Sequence, residues 1–477
     1  MRKARLSNVE LPDFGMPVVE PELSADLYRQ RLSRLEARMA KAGYGALIVY
    51  GDREHAANIA WLTGYDPRFE EALCLVVPGR KPALLVGNEG LGYAGIARGV
   101  FDIVLWQPLS LMGQPRDRYR PLKELMAEAG IAGGMRVGIA GWKGFESEDG
   151  QFDPDWFETP AYLAEAARSF GDAENAALIF MNPADWLRAI NEIDLLACFE
   201  CMATRTSAAI RGLIHGLRPG MSEYDAARLL QLDGSPHSVH PMLAAGPRAR
   251  VGLASPSTRP IGRGEPITCA LGLMGALNCR AGFVASDASD LSPAIADYVE
   301  RLVAPYFVAV AAWYETIGIG VPGGRIHETV MSRLGDSFFG IGLNPGHLIH
   351  LDEWLHSPIR KGSTVPLRSG MAIQCDIIPA TGTDYFTTNI EDGVALLDEE
   401  GRAAFAARYP EAWSRIVRRR SFMTDVLGIG LRPEVLPFSN LAAWLPPLAE
   451  PSHGHDHGVI TNAGAPVTAG VLSFEDR

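Results

Sequence analysis

Apolar positions along this chain follow two different periods, and the change from one to the other marks out its elements. Leu27, Leu32, Leu35 and Met39 recur at helical spacing, with Ser24 before them as a cap and Gly43 after them as a stop. The spacing predicts a helix beginning at Ala25. Four short apolar runs follow: Ala46–Tyr50, Ala72–Val77 (stopped by Pro78-Gly79), Pro82–Val86 and Val137–Ala140. Runs of this length between turn residues read as buried strands. Strands alternating with helical segments predict an α/β N-terminal domain.

The stretch from Glu174 to Asp185 reads as a junction. A long helical pattern runs from about Asn191 to Leu213 and stops near Arg218-Pro219-Gly220, where proline and glycine both discourage continuation. Ser222 is placed to cap a further helix, with Asp225 three residues on as its capping-box partner. From 237 to 290 the chain is glycine-rich with short apolar runs, read as sheet and turns. Pro293 to Thr316 is expected to be helical with the proline in its first turn, and 325–335 a shorter helix. Residues 338–398 return to short strands and loops. Residues 1–23, with Pro12, Pro17 and Pro21, show little periodicity and read as an irregular arm. The tail beyond Asp425 carries many prolines and the run His453-Gly454-His455-Asp456-His457, expected to be solvated and disordered.

With 477 residues the chain is long enough for two domains. A net charge of -12 and a pI near 5.5 argue against nonspecific nucleic-acid binding, which needs a basic face. No apolar run reaches the ~18 residues of a membrane-spanning helix, and the basic start Met1-Arg2-Lys3-Ala4-Arg5 lacks the apolar stretch of a signal peptide. The 6 cysteines are scattered, as expected of reduced thiols in a cytoplasmic protein. Cys198 and Cys201 form a CxxC, but within a helical pattern and with no second pair, so they are read as structural.

Several segments together resemble the pita-bread hydrolase family, which includes creatinase, Xaa-Pro aminopeptidase, prolidase and methionine aminopeptidase. They are the Arg31–Met39 helix, Ala46–Tyr50, Ile59-Ala60-Trp61-Leu62-Thr63-Gly64-Tyr65, Leu187-Arg188-Ala189-Ile190-Asn191-Glu192-Ile193 and Leu217-Arg218-Pro219-Gly220-Met221-Ser222-Glu223. To these add Asn344-Pro345-Gly346-His347 and Asn389-Ile390-Glu391-Asp392-Gly393. The resemblance spans roughly residues 25–425. It implies an arm at 1–24, an α/β creatinase-type N-terminal domain at 25–180, an α+β pita-bread catalytic-like domain at 181–425 and a C-terminal extension at 426–477. It also implies a homodimer or a dimer of dimers, with the site on the concave face of the catalytic sheet.

Metal-dependent members of that family hold two cations with two aspartates, a histidine and two glutamates. Here Ala270 stands where the resemblance places the first aspartate, and Ala281, eleven residues on, where it places the second. The histidine row is kept as His347, Asp376 replaces the first glutamate, and Glu391 keeps the second. One histidine and two carboxylates could hold one zinc, but two cations need more carboxylate than this. Creatinase, a metal-free member, would place its histidine near Leu253 or Ala254 and a glutamate near Ala281, so creatinase activity itself is not expected; ectoine hydrolase looks like another metal-free relative.

These rows point first to a metal-independent hydrolase of a small C–N substrate (amide, amidine or cyclic amidine), with no cofactor. His347 would carry the proton, and Asp376 and Glu391 would orient it or hold a substrate cation. Arg280 and Asn278 would bind a substrate carboxylate, with His350, His356 and His240 at the pocket and Asp352 and Glu353 between the histidines. A noncatalytic binding module is one alternative; a divergent mononuclear-metal Xaa-Pro-type peptidase using His347, Asp376 and Glu391 is the other. The expected partner is a small-molecule substrate, not nucleic acid or membrane.

Overall fold

The computed structural model describes residues 2–148, 150–183, 187–250, 252–448 and 467–474. Strand β1 (Arg5–Leu11) pairs antiparallel with the last strand, β15 (Val467–Ser473), from Arg5 opposite Ser473 to Leu11 opposite Val467. The irregular arm expected over residues 1–23 therefore contains a strand. Its periodicity is hidden because only Val9 and Leu11 of β1 are buried. The chain divides into two compact units, Glu22–Ala189 and Met1–Pro21 with Ile190–Arg477.

The first unit opens with helix α1 (Ala25–Ala42). Ser24 Oγ accepts the Leu27 N–H at its start, and Gly43 ends it in the left-handed conformation, as the capping residues predict. A six-stranded sheet follows in the order β5 (Asp102–Leu105), β4 (Ala83–Val86), β3 (Ala72–Val76), β2 (Ala46–Gly51), β6 (Val137–Ala140), β7 (Ala173–Asn175). All residues of β2, β3 and β6 are buried. That explains why these strands show as continuous apolar runs and not as alternation.

The second unit is built on a seven-stranded antiparallel sheet. Its path is β11 (His347–Leu348), β12 (Ala372–Asp376), β13 (Asn389–Leu396), β10 (Ala276–Phe283), β9 (Pro266–Leu273) and β8 (His237–Ala245), with β14 (Val435–Pro437) also on β13. The long helix α2 (Ile193–Gly216) includes Cys198 and Cys201, neither of them in a disulfide. Helix α3 (Glu223–Arg228) starts at Ser222 with the capping box to Asp225 in place. The helix expected from Pro293 is interrupted: a 3-10 turn (Pro293–Ile295) and a π turn (Val299–Val303) precede α4 (Ala304–Thr316). Pro305, just inside α4, has no N–H to offer the preceding turn. Helix α5 spans Gly323–Leu334.

One face of this sheet is packed with buried charge. Glu200 on α2 is fully buried and takes Arg415 Nε at 2.9 Å and Nη2 at 2.6 Å, and Arg419 Nη1 at 2.7 Å. Both arginines lie on helix α6 (Pro410–Ser421), so this network ties α6 to α2. Beyond α6 the extension does not lie open to solvent: residues 435–447 are buried. The His-rich run expected to be disordered lies outside the described residues. Among the described residues no helix is long and apolar enough to cross a membrane.

Candidate active site

Cross-strand register assigns residues of the sheet to its two faces, because directly paired residues project to the same side and successive residues alternate. Asp376 pairs with Glu391, Glu391 with Cys279, and Cys279 with Ala270. The next row on the same face is Asn389, Ala281 and Thr268. His347 joins this face through Gln374, its partner on β12. Ala270 and Ala281 thus face the same side as His347, Asp376 and Glu391, and neither carries a donor atom.

The opposite face holds Asn278, Arg280 and Asp392, which corrects the expectation that Arg280 and Asn278 bind substrate. Arg280 is 3% exposed; its Nη2 and Nη1 donate to Asp392 at 2.7 and 3.2 Å and its Nε to the Trp444 carbonyl at 2.7 Å. Asn278 Nδ2 donates to Asp392 at 2.7 Å and to Ser439 Oγ at 3.0 Å, while its Oδ1 accepts from Thr206 on α2 at 2.6 Å. Their hydrogen-bonding capacity is committed inside the protein. A one-residue step along a strand reverses the face, and both side chains are one step out of phase with Cys279.

The histidines also separate. The Gly346-His347 turn is locked by Trp313 Nε1 donating to the Pro345 carbonyl (2.7 Å) and Ser357 Oγ to the Gly346 carbonyl (2.7 Å). Gly346 has φ +126, and a Cβ there would lie 2.6 Å from the Gln374 carbonyl oxygen. Only glycine brings the chain that close. His347 Nδ1 lies 3.2 Å from the Leu348 carbonyl. When Nδ1 carries the proton, that contact leaves the Nε2 lone pair facing the carboxylates. His350 is fully buried, edge-on to Phe199 of α2, and outside the carboxylate group. His240 is exposed and bonds the Leu253 carbonyl at 2.9 Å. His356 lies nearer: Trp354 stands between it and His347, with ring centroids 6.3 and 6.5 Å away. Burial and the Arg360 charge depress its pKa to about 4.

Glu353, expected only as lying between the histidines, completes the cluster. Leu348 N–H donates to the His356 carbonyl (2.7 Å) and Leu355 N–H to the Leu348 carbonyl (2.9 Å), closing a hairpin whose tip carries Glu353. Glu353 Oε1 lies 3.4 Å from His347 Nε2, Glu391 Oε1 3.7 Å and Asp376 Oδ2 3.9 Å. Among the described residues, His347, Glu353 and Glu391 form a group with one ligand atom each, all within 4.8 Å of one another. The sequence offered a weak signal for Glu353: an acidic residue six positions after the histidine, between apolar residues able to pair. Burial raises the Glu391 carboxyl well above its ordinary value, helped by the Glu353 charge. Burial and then Glu391 raise Asp376, and burial raises Glu353. Three carboxylates this close together are not all charged unless a positive charge lies among them.

The donor set fits one such cation. Glu391 Oε1 and Asp376 Oδ1 are buried without a hydrogen-bond partner. Donor separations of 3.4 and 3.7 Å approach the roughly 3.3 Å edge of a tetrahedral shell with bonds of about 2.0 Å. Ala270 and Ala281, on the rows where the resemblance places two further ligands, supply no donor atom.

Comparison with known proteins agrees with this architecture. Residues 31–179 match the creatinase/prolidase N-terminal domain, and residues 197–397 match metallopeptidase family M24. Prolidase from Thermococcus sibiricus superposes with a TM-score of 0.61 at 18% identity, covering 78% of this chain and 95% of that one. Xaa-Pro dipeptidase from Bacillus anthracis gives 0.58 at 16% identity over 78% and 96%, and X-Pro aminopeptidase from Thermotoga maritima 0.56 at 14% over 77% and 95%. No curated protein matches the chain. The fold is a creatinase-type domain followed by a pita-bread domain, and the two family matches together place the chain with the pita-bread hydrolases, its residues 197–397 with metallopeptidase family M24.

Proposed function

We propose that this chain is a peptidase of the Xaa-Pro type that works with one divalent cation, held by His347, Glu353 and Glu391. The observation that carries the reading is the convergence of those three donor atoms within 4.8 Å. The likeness of both domains to prolidases and Xaa-Pro peptidases supports it. A cation in such a site would polarise the scissile carbonyl and lower the pKa of an attacking water. The chain's own residues set the geometry. Gly346 and the Trp313–Pro345 hydrogen bond fix the His347 ring, the hairpin tip delivers Glu353, and Trp354 shields the cluster on the side of His356. The ligand set differs from the one expected on resemblance, with Glu353 in place of Asp376.

The test is metal analysis of full-length, tag-free protein in which His453, His455 and His457 are replaced by asparagine, so that the tail contributes no adventitious sites. Truncation is unsuitable because it would remove β15. About one equivalent of metal is expected, lost in His347→Ala and bound at least tenfold more weakly in Glu353→Gln, together with metal-dependent cleavage of Xaa-Pro dipeptides. The second reading is a metal-free hydrolase of a small C–N substrate with His347 as proton carrier. It is favoured by Ala270 and Ala281 facing the site. Turnover by protein free of metal would establish it and end the first.

A further inference from the structure

The sheet of the first unit ends at β5, and among the described residues no strand lies outside it. β5 runs parallel to β4, from Ala83 beside Asp102 to Val86 beside Leu105. Asp102 N–H and Trp106 N–H donate to the Pro82 and Val86 carbonyls, both at 2.8 Å. Backbone groups alternate sides along a strand, so Val104 also turns its N–H and C=O toward β4. Ile103 and Leu105 turn theirs outward, where no strand receives them. Natural sheet edges are blunted by charge, proline or a covering element. The centre of this edge is Ile103-Val104-Leu105, and Ile103 is 41% exposed.

An open groove of about 380 Å³ runs along the edge, lined by Ile103, Val104, Leu105, Arg118, Tyr119 and Arg120. Two hydrogen bonds hold its second wall beside the C-terminal end of β5. Trp106 Nε1 donates to the Arg120 carbonyl at 3.0 Å, and Arg118 N–H donates to Gln107 Oε1 at 2.7 Å. Tyr119 is 60% exposed. Arg120 pairs with Glu128, whereas the Arg118 guanidinium has no ion-pair partner among the described residues.

The occupant this groove fits is β5 of a second copy, because the strand is complementary to itself. In an antiparallel pair, hydrogen bonds are exchanged between residues whose backbone groups face the partner. Setting Ile103 opposite Leu105 of the second copy, and Leu105 opposite its Ile103, pairs every outward group of both strands about a two-fold axis at Val104. The same register sets Asp102 of one copy opposite Trp106 of the other. Its exposed carboxylate, which meets Lys81 within its own chain, then lies at the end of the groove where Arg118 stands unpaired.

We propose that the β5 edge joins two copies of this chain, Ile103 against Leu105 and Asp102 against Arg118, so that two six-stranded sheets become one continuous sheet. A two-fold contact of this kind closes on itself and does not extend into a fibre. One short strand and a groove wall make an interface at the low end of the usual size range, so association depends on concentration. The contact is independent of the chemistry at His347.

The test is sedimentation of full-length protein at pH 7 over a range of concentrations. The parent is expected to reach at least twice the 51.6 kDa of the chain. Ile103→Pro removes only an outward N–H, which an edge strand tolerates, and should halve the particle mass without lowering the melting temperature. Arg118→Asp should raise the dissociation constant at least about tenfold. Combining it with Asp102→Arg should restore association, because the two charges are exchanged across one contact. Both positions are on the surface, so this pair decides the matter even where the proline variant fails to fold. Val104→Cys should cross-link to a dimer on oxidation, since the two α-carbons meet at the axis about 4.5 Å apart; the parent, whose cysteines are buried or half-buried, should not. A monomeric parent, a mass unchanged in both Ile103→Pro and Arg118→Asp, a charge exchange that fails to restore association, or no cross-link through Val104→Cys would each overturn the proposal.

Discussion

Replacing Arg280 by methionine should unfold the pita-bread unit more readily while leaving the candidate active site chemically intact. Arg280 and Asp392 are 3% and 2% exposed and share two hydrogen bonds, at 2.7 and 3.2 Å. Arg280→Met leaves the Asp392 carboxylate buried with only Asn278 Nδ2 (2.7 Å) and the Ala443 N–H (2.9 Å) to stabilise it. Breaking a buried pair from one side costs about 3–5 kcal/mol. That is a large part of the roughly 5–15 kcal/mol that holds a domain folded. With a urea slope of about 3 kcal/mol per M, the midpoint should fall by about 1 M or more. The assay is urea unfolding followed by tryptophan fluorescence, since Trp444 is fully buried and its carbonyl accepts from Arg280 Nε. The double variant Arg280→Met with Asp392→Leu should recover much of the loss, because no lone charge is then left buried. Metal stoichiometry of folded Arg280→Met should match the parent. A midpoint shift under about 0.3 M with weakened substrate binding would refute the reasoning and return Arg280 to the substrate pocket.

Two other outcomes follow from the same geometry. Gly346→Ala must place a Cβ 2.6 Å from the Gln374 carbonyl oxygen at φ +126; strain of about 1–3 kcal/mol is expected, and because the turn aims His347, metal retention should fall together with the melting temperature. His356 has a folded pKa of about 4, below its ordinary value of 6.5, because burial disfavours its charged form. The unfolded chain therefore binds the proton first. The His356 contribution is complete above about pH 6.5 and lost progressively as the pH falls toward 4, by about 3 kcal/mol in all. Denaturation midpoints measured from pH 7.5 to 4.5 should decline less steeply in His356→Gln; parallel curves would show that another group carries the effect.

Much of the fold was legible along the chain. The caps at Ser24 and Gly43, the capping box at Ser222 and Asp225, and the uninterrupted apolar runs of β2, β3 and β6 are local signals, and local signals fix elements. Pairing of Arg5–Leu11 with Val467–Ser473 was not legible, because a strand formed by partners more than 450 residues apart needs no periodicity of its own.

For the site, the sequence alone determined which chemistry is present: a histidine after glycine at 347, carboxylates at 376 and 391, and alanines at 270 and 281. It could not decide which of these side chains meet. The register of β10 against β13 places Cys279 and Ala281 with Glu391 and turns Asn278 and Arg280 to the far side. The hairpin closed at Leu348 and His356 brings Glu353 to His347 and carries His350 away to Phe199. Adjacent residues of a strand point in opposite directions and the tip of a hairpin doubles back on its start, so nearness in sequence and nearness in the site are set by different interactions.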